Sequence, residues 1–430
     1  MIDVFISHSS KDDRLARAVR GRIVGGLGAM NYRVKVDTQA LRKGREWCLQ
    51  LMWWLADCHA AVVLLNEAAL DSDWVRREVN ILMWRRALWP SLRVLPVLIG
   101  NVTTDQLKKA GFGDILPLEC VRLPREDGED GEDEYIRKLT AAVLAEFADL
   151  PDVGLETDHM RNWIEDVAAL LDTSDSPDTL RATGRALGIE EQDLHLLDAH
   201  VGAGQFLAHH LLATASVTRL RQAVHEIARK RRLSRDDLAS LITLLTPAWI
   251  DGEAARRLLP PDGLSAKRLV ALNARGADTA GQYVDRAMCR QIMYYRFHTA
   301  GGIPVGEDAL DDLADQCVEA VRQVLLAPPW QDHRKFRPIE GFLHCLILNV
   351  REVRPRLVEE LVTQLHQLFP WLLIVLLSDE CDPSRARLAP RLKDLVILPD
   401  LTEDEETLGY QLTHELRGLP DRLKGLEASA

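Results

Sequence analysis

The chain has 430 residues, of which 47% are hydrophobic and 27% are charged, and this composition excludes a disordered or fibrous protein. The length predicts about three domains. The formal net charge of −12 argues against direct binding of nucleic acid.

The cysteines and the apolar runs predict a cytoplasmic protein. Seven cysteines are scattered along the chain without a Cys-x-x-Cys pair, which excludes a disulfide framework and a clustered cysteine zinc site. The first residues run directly into a predicted strand, so we expect no signal peptide. The longest apolar run, 369–377, contains Pro370 and is too short to cross a membrane.

The first part of the chain alternates between strand and helix patterns. Helical periodicity follows the predicted strands, for example from Trp74 to Leu88. The predicted strands are 3–7, 32–36, 61–65 and 94–99. Because these strands are apolar on both faces, they predict a parallel sheet that is covered by helices on both sides.

A helical module is predicted after this first domain. The acidic run at 125–134 predicts a solvated loop rather than a nucleic-acid mimic, because its like charges repel one another. A helix at 135–147 and a linker at 151–154 follow, and the patterns are then almost entirely helical. We therefore assign 1–150 to the first domain and 155–258 to the helical module.

Histidines in the helical module raise the question of a metal site. No acidic or cysteine side chain stands near them at ligand spacing, so surface or capping roles are favoured and no metal is predicted. The histidines considered are His195, His200, His209 and His210.

The last part, 260–430, returns to an α/β pattern. A helix is expected from Gln282, and another from Val358 to Leu368. The predicted strands are 267–272, 342–350, 372–377 and 395–399. The fold class is therefore α/β, with a helical module between two α/β domains.

Three polar segments follow successive strands of the first domain, at the edge where parallel sheets bind ligands. They are Ser7–Lys11, Asp37–Trp47 and Ser72–Glu78. With Asp-Val-Phe-Ile-Ser-His-Ser at 3–9, Leu41, Gly44 and Trp47 in the second segment, and Ser-Asp-Trp-Val-Arg-Arg-Glu in the third, residues 1–148 resemble a Toll/interleukin receptor (TIR) domain. The resemblance implies a flavodoxin-like parallel sheet. Since many bacterial and plant TIR domains, and an animal axon-degeneration factor, cleave NAD, it also implies NAD as the substrate and no required cofactor.

By this resemblance, the glutamate of the Trp-x-x-x-Glu element, Glu78, is the catalytic residue. A carboxylate near the ribose can stabilise the oxocarbenium-like transition state of nicotinamide loss. The alternative is an exposed helix carboxylate paired with Arg76, Arg77 or Arg85. His8 and Asn66 depart from the usual family pattern, which leaves the substrate geometry and the product open.

The other expected substrate-binding residues come from the same three segments. The turn before the first helix is expected to meet the pyrophosphate through backbone amides, and Trp47 is expected to stack on the nicotinamide. An ordinary structural role is an equal alternative for Ser9, Lys11 and Trp47. The full set is Ser9, Ser10, Lys11, Asp37, Gly44, Trp47 and Trp74.

The C-terminal part carries a degenerate phosphate-loop pattern. Gly276 and Gly281 have the spacing of such a loop, but Gln282 stands in place of the lysine and Tyr283 in place of the magnesium-binding hydroxyl. With the acidic residues after the strands at 372–377 and 395–399, residues 260–430 resemble an inactive STAND-like ATPase module. By a weaker resemblance, the helical module is similar to an adaptor or death-like domain. A SAVED-type nucleotide sensor is the alternative for the C-terminal part.

The sequence therefore predicts a bacterial antiphage or stress effector. Its C-terminal half is expected to sense an unidentified protein or ligand, after which the TIR domains form a homo-oligomer and cleave NAD. The alternative is a non-enzymatic scaffold in which TIR domains make only homotypic contacts.

Overall fold

The chain folds into two compact units, Met1–Arg161 and Asn162–Ala430. The structure is a computed structural model. It describes residues 2–36, 51, 54–123, 129–148, 150, 158–172, 177–189, 191, 194, 197, 202–213, 216–229, 233–261, 263–301, 309–351, 353–378, 388, 391–392, 394–398 and 401–421. The division into three domains at 1–150, 155–258 and 260–430 stays a prediction.

The first unit is built on a five-stranded parallel sheet in the order β2-β1-β3-β4-β5. The strands β1 to β5 are Asp3–Ser7, Arg33–Val36, Ala60–Leu65, Arg93–Leu98 and Val121–Arg122. The helices α1 to α5 are Arg14–Ala29, Glu67–Leu70, Asp73–Leu88, Thr104–Lys109 and Glu129–Ala145. Helix α6, His159–Asp172, begins in this unit and continues into the second.

Two apolar cores cover the two faces of this sheet. Along β3, Ala61, Val63 and Leu65 enter one core, and the alternate residues Ala60, Val62 and Leu64 enter the other. All six are buried, since successive side chains of a strand point to opposite faces. The prediction of a parallel sheet covered on both sides is confirmed, and the four predicted strands end within about a residue of their predicted bounds, whereas the short β5 was not predicted.

The second unit begins with helices. After α6, the helices α7 to α11 are Pro177–Ala186, Ala203–Ala213, Val217–Arg229, Arg235–Leu245 and Gly252–Leu258. No strand interrupts them in the described residues between 162 and 267. Among all described residues, no helix is long and apolar enough to span a membrane.

The second unit also contains a second five-stranded parallel sheet, in the order β10-β6-β9-β8-β7. The strands β6 to β10 are Arg268–Asn273, Tyr295–Ala300, Leu343–Asn349, Leu373–Ser378 and Leu395–Ile397. The helices α12 to α15 are Ala277–Ala287, Ala309–Val324, Pro355–Leu368 and Glu403–Arg417. The fold is thus mixed α/β, as predicted, although β5 and β7 were not among the predicted strands.

His344 makes the stability of the second unit depend on pH. It is fully buried on β8, between the rings of Phe342 and Trp371 at 4.9 and 5.1 Å. Burial lowers its pKa from 6.5 to about 4, so between these values the unfolded chain binds a proton that the folded chain does not. We therefore expect His344 to lower the free energy of unfolding by about 3 kcal/mol as the pH falls from 6.5 to 4.

Denaturant unfolding of the full chain at a series of pH values checks this expectation. His344→Leu should reduce the loss of unfolding free energy between pH 6.5 and 4, and the buried His159, whose pKa is also lowered to about 4, accounts for part of the remainder. The control His333→Gln, at a side chain that is 40% exposed, should leave the pH dependence unchanged. An identical pH slope in His344→Leu and the wild type would contradict the assignment.

Candidate active site

The carboxylate of Glu78 lies at the carboxyl edge of the first sheet, against the end of β1. Ser72 caps the start of α3 by accepting the backbone N–H of Val75 at 3.3 Å. Six residues after this cap, Glu78 Oε2 accepts the hydroxyl of Ser7 at 2.5 Å. Ser7 ends β1 and pairs in register with Val63 of β3. The contact therefore joins the helix after the third strand to the end of the first strand.

Glu78 is buried, with only 2% of its surface exposed. This finding contradicts the alternative of an exposed helix carboxylate. Two of the arginines considered as its partners have other contacts: Arg76 donates to Asp73 at 3.0 Å and to the carbonyl of Ala110 at 3.2 Å, and Arg85 pairs with Asp158.

The turn after β1 brings Ser9, Ser10 and Lys11 to the same edge of the sheet. Ser9 is buried and its hydroxyl accepts the backbone N–H of Lys11 at 3.1 Å, whereas Ser10 and Lys11 are exposed. Helix α1 starts only at Arg14, where Asp13 accepts the N–H of Ala16 at 2.7 Å. A carboxylate therefore stands at the helix start, where the sequence predicted a pyrophosphate contact through backbone amides. The exposed Lys11 side chain remains the candidate for that contact.

A polar cluster around Asp12 explains the two departures from the family pattern. Asp12 is 9% exposed and accepts the side-chain amide of Asn66 at 3.3 Å. Its other oxygen accepts Arg20 at 3.2 Å and lies 3.4 Å from His8 Nδ1. Asn66 also caps α2, since its oxygen accepts the N–H of Ala69 at 2.9 Å. His8 and Asn66 thus hold the turn and the end of β3 together through a residue that the sequence did not single out.

Sequence reasoning also missed the role of Ser7 as the partner of Glu78. Its position was part of the predicted segment, but a hydrogen bond between residues 71 positions apart cannot be read from a sequence. A serine that ends a fully apolar strand was the available signal, because the carboxyl edge of a parallel sheet is where ligands bind.

The predicted site residues on the other segments differ in their placement. Trp74 lies one turn before Glu78 on α3 and packs, partly buried, against the core on that side of the sheet. Asp37, Gly44 and Trp47 lie outside the described residues. The structure therefore brings Glu78, Ser7 and the turn Ser9–Lys11 to one edge, and the roles of the others stay predictions.

A carboxylate in this position can bind paired hydroxyls and stabilise a developing positive charge. Charge stabilisation of this kind needs no metal. In the described part of the chain, no group of histidine, cysteine, aspartate and glutamate side chains has the arrangement of a metal site.

A comparison of the sequence with models of known protein families identifies the first domain. Residues 4–139 match the family model described as the TIR domain. The chain contains a TIR domain. TIR domains act in signalling or cleave NAD, and they generally self-associate. A search of curated proteins finds no match to the chain.

The degenerate phosphate-loop residues lie in the second unit, and their placement differs from the prediction. The helix expected from Gln282 begins at Ala277, with Gly276 as its N-cap. Gly281, Gln282 and Tyr283 are therefore inside α12 rather than in a loop. A Cβ on Gly281 would come within 2.9 Å of the Phe297 ring, so this glycine permits close packing of the helix on β7.

Gln282 and Tyr283 are part of the packed interior. The side chain of Gln282 accepts the indole N–H of Trp249 at 2.6 Å and donates to Thr413 at 3.2 Å. Tyr283 is 4% exposed, and burial raises the pKa of its phenol. Both side chains are therefore committed to the core between α12, α15 and the turn at Trp249, away from a position that faces a phosphate.

The backbone amides before α12 are occupied by a carboxylate of this chain. Glu406 of α15 accepts the N–H of Arg275 at 2.8 Å and the N–H of Gly276 at 2.8 Å. It also accepts the hydroxyl of Thr279 at 2.7 Å. A negative group at a helix N-terminus is what the backbone dipoles favour. Here Glu406 takes the place that a phosphate takes in a nucleotide-binding loop.

Proposed function

We propose that this protein cleaves the nicotinamide–ribose bond of NAD and that Glu78 is the catalytic carboxylate. The observation that carries the proposal is the buried Glu78 carboxylate, bonded to Ser7 at the carboxyl edge of the sheet in a TIR domain. A carboxylate on a flexible surface position would be screened by water, whereas one fixed in a low-dielectric site stabilises charge effectively.

The chemistry requires few groups. The C1′–N bond breaks with its electron pair passing to the nicotinamide ring, which leaves as a neutral molecule. The ribose becomes oxocarbenium-like, and Glu78 holds its hydroxyls and offsets its charge. Water then attacks C1′ and loses a proton, giving ADP-ribose, or a nucleophile within the same molecule gives the cyclic product.

Assembly of the TIR domains is the proposed activating event. With 2% of its surface exposed and its Oε2 bonded to Ser7, Glu78 is closed to a substrate in the single chain. A second TIR domain completes the pocket at the segments 37–47 and 72–78, and in the assembled protein the carboxylate reaches the ribose. In this scheme the C-terminal unit senses a protein or ligand, and the whole protein acts as a bacterial defence effector.

The burial of the Glu78 side chain also supports one other function. If the bond to Ser7 serves only to fix α3 on β1, the TIR domain is a non-enzymatic scaffold that makes homotypic contacts. The two functions differ in one measurement, the release of nicotinamide from NAD by assembled protein.

We expect NAD turnover per chain to be low in dilute protein and to rise with protein concentration. The physical reason is that the site is completed only between chains. Nicotinamide release is measured across a concentration series, with light scattering under the same conditions giving the assembly state. A confirmed monomer that turns over as fast as the assembled protein would contradict activation by assembly, and no release at any concentration would favour the scaffold.

A further inference from the structure

A fully buried arginine lies on the same helix as Glu78. Arg85 is seven positions further along α3, which is about 10 Å along the helix axis. Its side chain is 0% exposed and donates to the carbonyls of Leu55 at 2.5 Å and Cys58 at 3.0 Å. A buried cation needs a counter-charge as well as acceptors.

Asp158 supplies that charge. Its Oδ2 lies 2.6 Å from Arg85 Nε and 2.5 Å from Arg85 Nη2, and its side chain is also 0% exposed. Burial lowers the pKa of Arg85, but the attraction of Asp158 contributes to a net rise above the ordinary value. Burial raises the pKa of the neighbouring Cys58 thiol, so this thiol stays neutral at pH 7 and does not act as the counter-ion.

Asp158 lies outside the matched TIR residues 4–139 and holds two elements at once. Its Oδ1 accepts the N–H of Arg161 at 3.1 Å and so caps the start of α6. The adjacent His159 is buried, and burial lowers its pKa to about 4. At neutral pH His159 is therefore uncharged, and Arg85 is the cation that forms an ion pair with Asp158.

We propose that Asp158 is a positioning residue for Glu78, and this inference rests on the proposed function. Helix α3 is fixed at two points, at Glu78 by Ser7 and two turns later by the ion pair of Arg85 with Asp158. Without the charge of Asp158, Arg85 is an unpaired cation in the interior and α3 shifts to relieve it. The carboxylate of Glu78 then loses its alignment with the ribose, while the binding surface for the rest of NAD is unaffected.

Asp158→Asn in the full chain tests the proposal, because asparagine keeps an oxygen that can cap α6 and removes only the charge. In assembled protein kcat should fall at least tenfold with KM within twofold of the wild type. Backbone amides of residues 75–80 should exchange with solvent at least tenfold faster. Asp57→Asn is the matched control, since Asp57 contacts Arg161 at the same helix start through a partly exposed pair at 3.5 Å and should change neither measurement.

A second variant separates loss of the pair from loss of the fold. The double variant, Arg85→Met with Asp158→Asn, has no unpaired buried charge. We therefore expect it to fold, and its kcat to be at least threefold higher than that of Asp158→Asn alone. Recovery below this level, unchanged exchange at 75–80 in Asp158→Asn, or unchanged kcat in that variant would each overturn the proposal. If the wild type cleaves no NAD, the proposed function fails by itself, and the exchange rates still decide whether Asp158 fixes the helix.

Discussion

Glu78→Gln should abolish NAD cleavage in assembled protein while leaving folding and assembly unchanged. Glutamine has nearly the same size and keeps an oxygen that can accept the hydroxyl of Ser7, so the contact between α3 and β1 is preserved. The negative charge that offsets the oxocarbenium-like ribose is lost. This loss should cost on the order of 3 kcal/mol or more in the transition state, which is about a hundredfold or more in rate.

The measurement is nicotinamide release by wild type and variant at equal degrees of assembly, with thermal unfolding as the check on the fold. Arg77→Gln is the matched control, because Arg77 is an exposed residue of the same helix next to Glu78. It should retain turnover within about threefold of the wild type, as expected for an exposed substitution away from the reacting atoms. Undiminished turnover by folded, assembled Glu78→Gln would exclude Glu78 as the catalytic residue.

The parts of the fold that could be predicted from the sequence are those fixed by local composition. The central strands of both sheets are uniformly apolar because both of their faces are buried, and β3 and β9 show this pattern clearly. Strand β7 could not be found in this way. It lies at the edge of its sheet and exposes Arg296, Phe297 and Thr299, so its sequence is neither apolar nor regularly alternating.

The misplaced start of α12 has a different cause. The glycine spacing at Gly276 and Gly281 suggested a loop up to Gln282, because Gly276 has no side chain that could cap a helix and so gave no local signal of a helix start. The cap is completed by Glu406, about 130 positions away. Long-range contacts of this kind decide between a loop and a helix when the local sequence permits both.

The candidate site shows the same division between local and long-range information. The order of the segments along an alternating β/α pattern placed Glu78 and the turn Ser9–Lys11 at one edge, since the carboxyl ends of parallel strands meet there. The burial of Glu78 was not accessible, because three arginines near it in sequence favoured an exposed ion pair. Its actual surroundings come from Ser7, at the end of another strand.

The full chain should neither bind nor hydrolyse ATP at Gly276–Tyr283, the segment that the sequence predicted as a degenerate phosphate loop. No lysine stands at position 282 to offset the charge of the β- and γ-phosphates, and the buried Tyr283 cannot serve magnesium as a serine or threonine hydroxyl does. In addition, the carboxylate of Glu406 already accepts the N–H groups of Arg275 and Gly276. A phosphate at the same amides would have to displace this carboxylate or be repelled by it.

Calorimetry of the wild-type chain with ATP and magnesium should therefore show no binding heat, and no phosphate should be released. Glu406→Ala should lower the free energy of unfolding by about 2 kcal/mol, because charge-assisted hydrogen bonds to the amides before α12 are lost. Asp404→Asn, an exposed change in the first turn of the same helix, is the control and should lower the free energy of unfolding by less than about 0.5 kcal/mol.

Micromolar ATP binding with phosphate release would contradict this view of the loop. Equal stability of Glu406→Ala and wild type would show that the carboxylate does not hold α15 on α12. With both results as expected, a nucleotide cycle at Gly276–Tyr283 is excluded as the activating signal that we propose for the C-terminal unit.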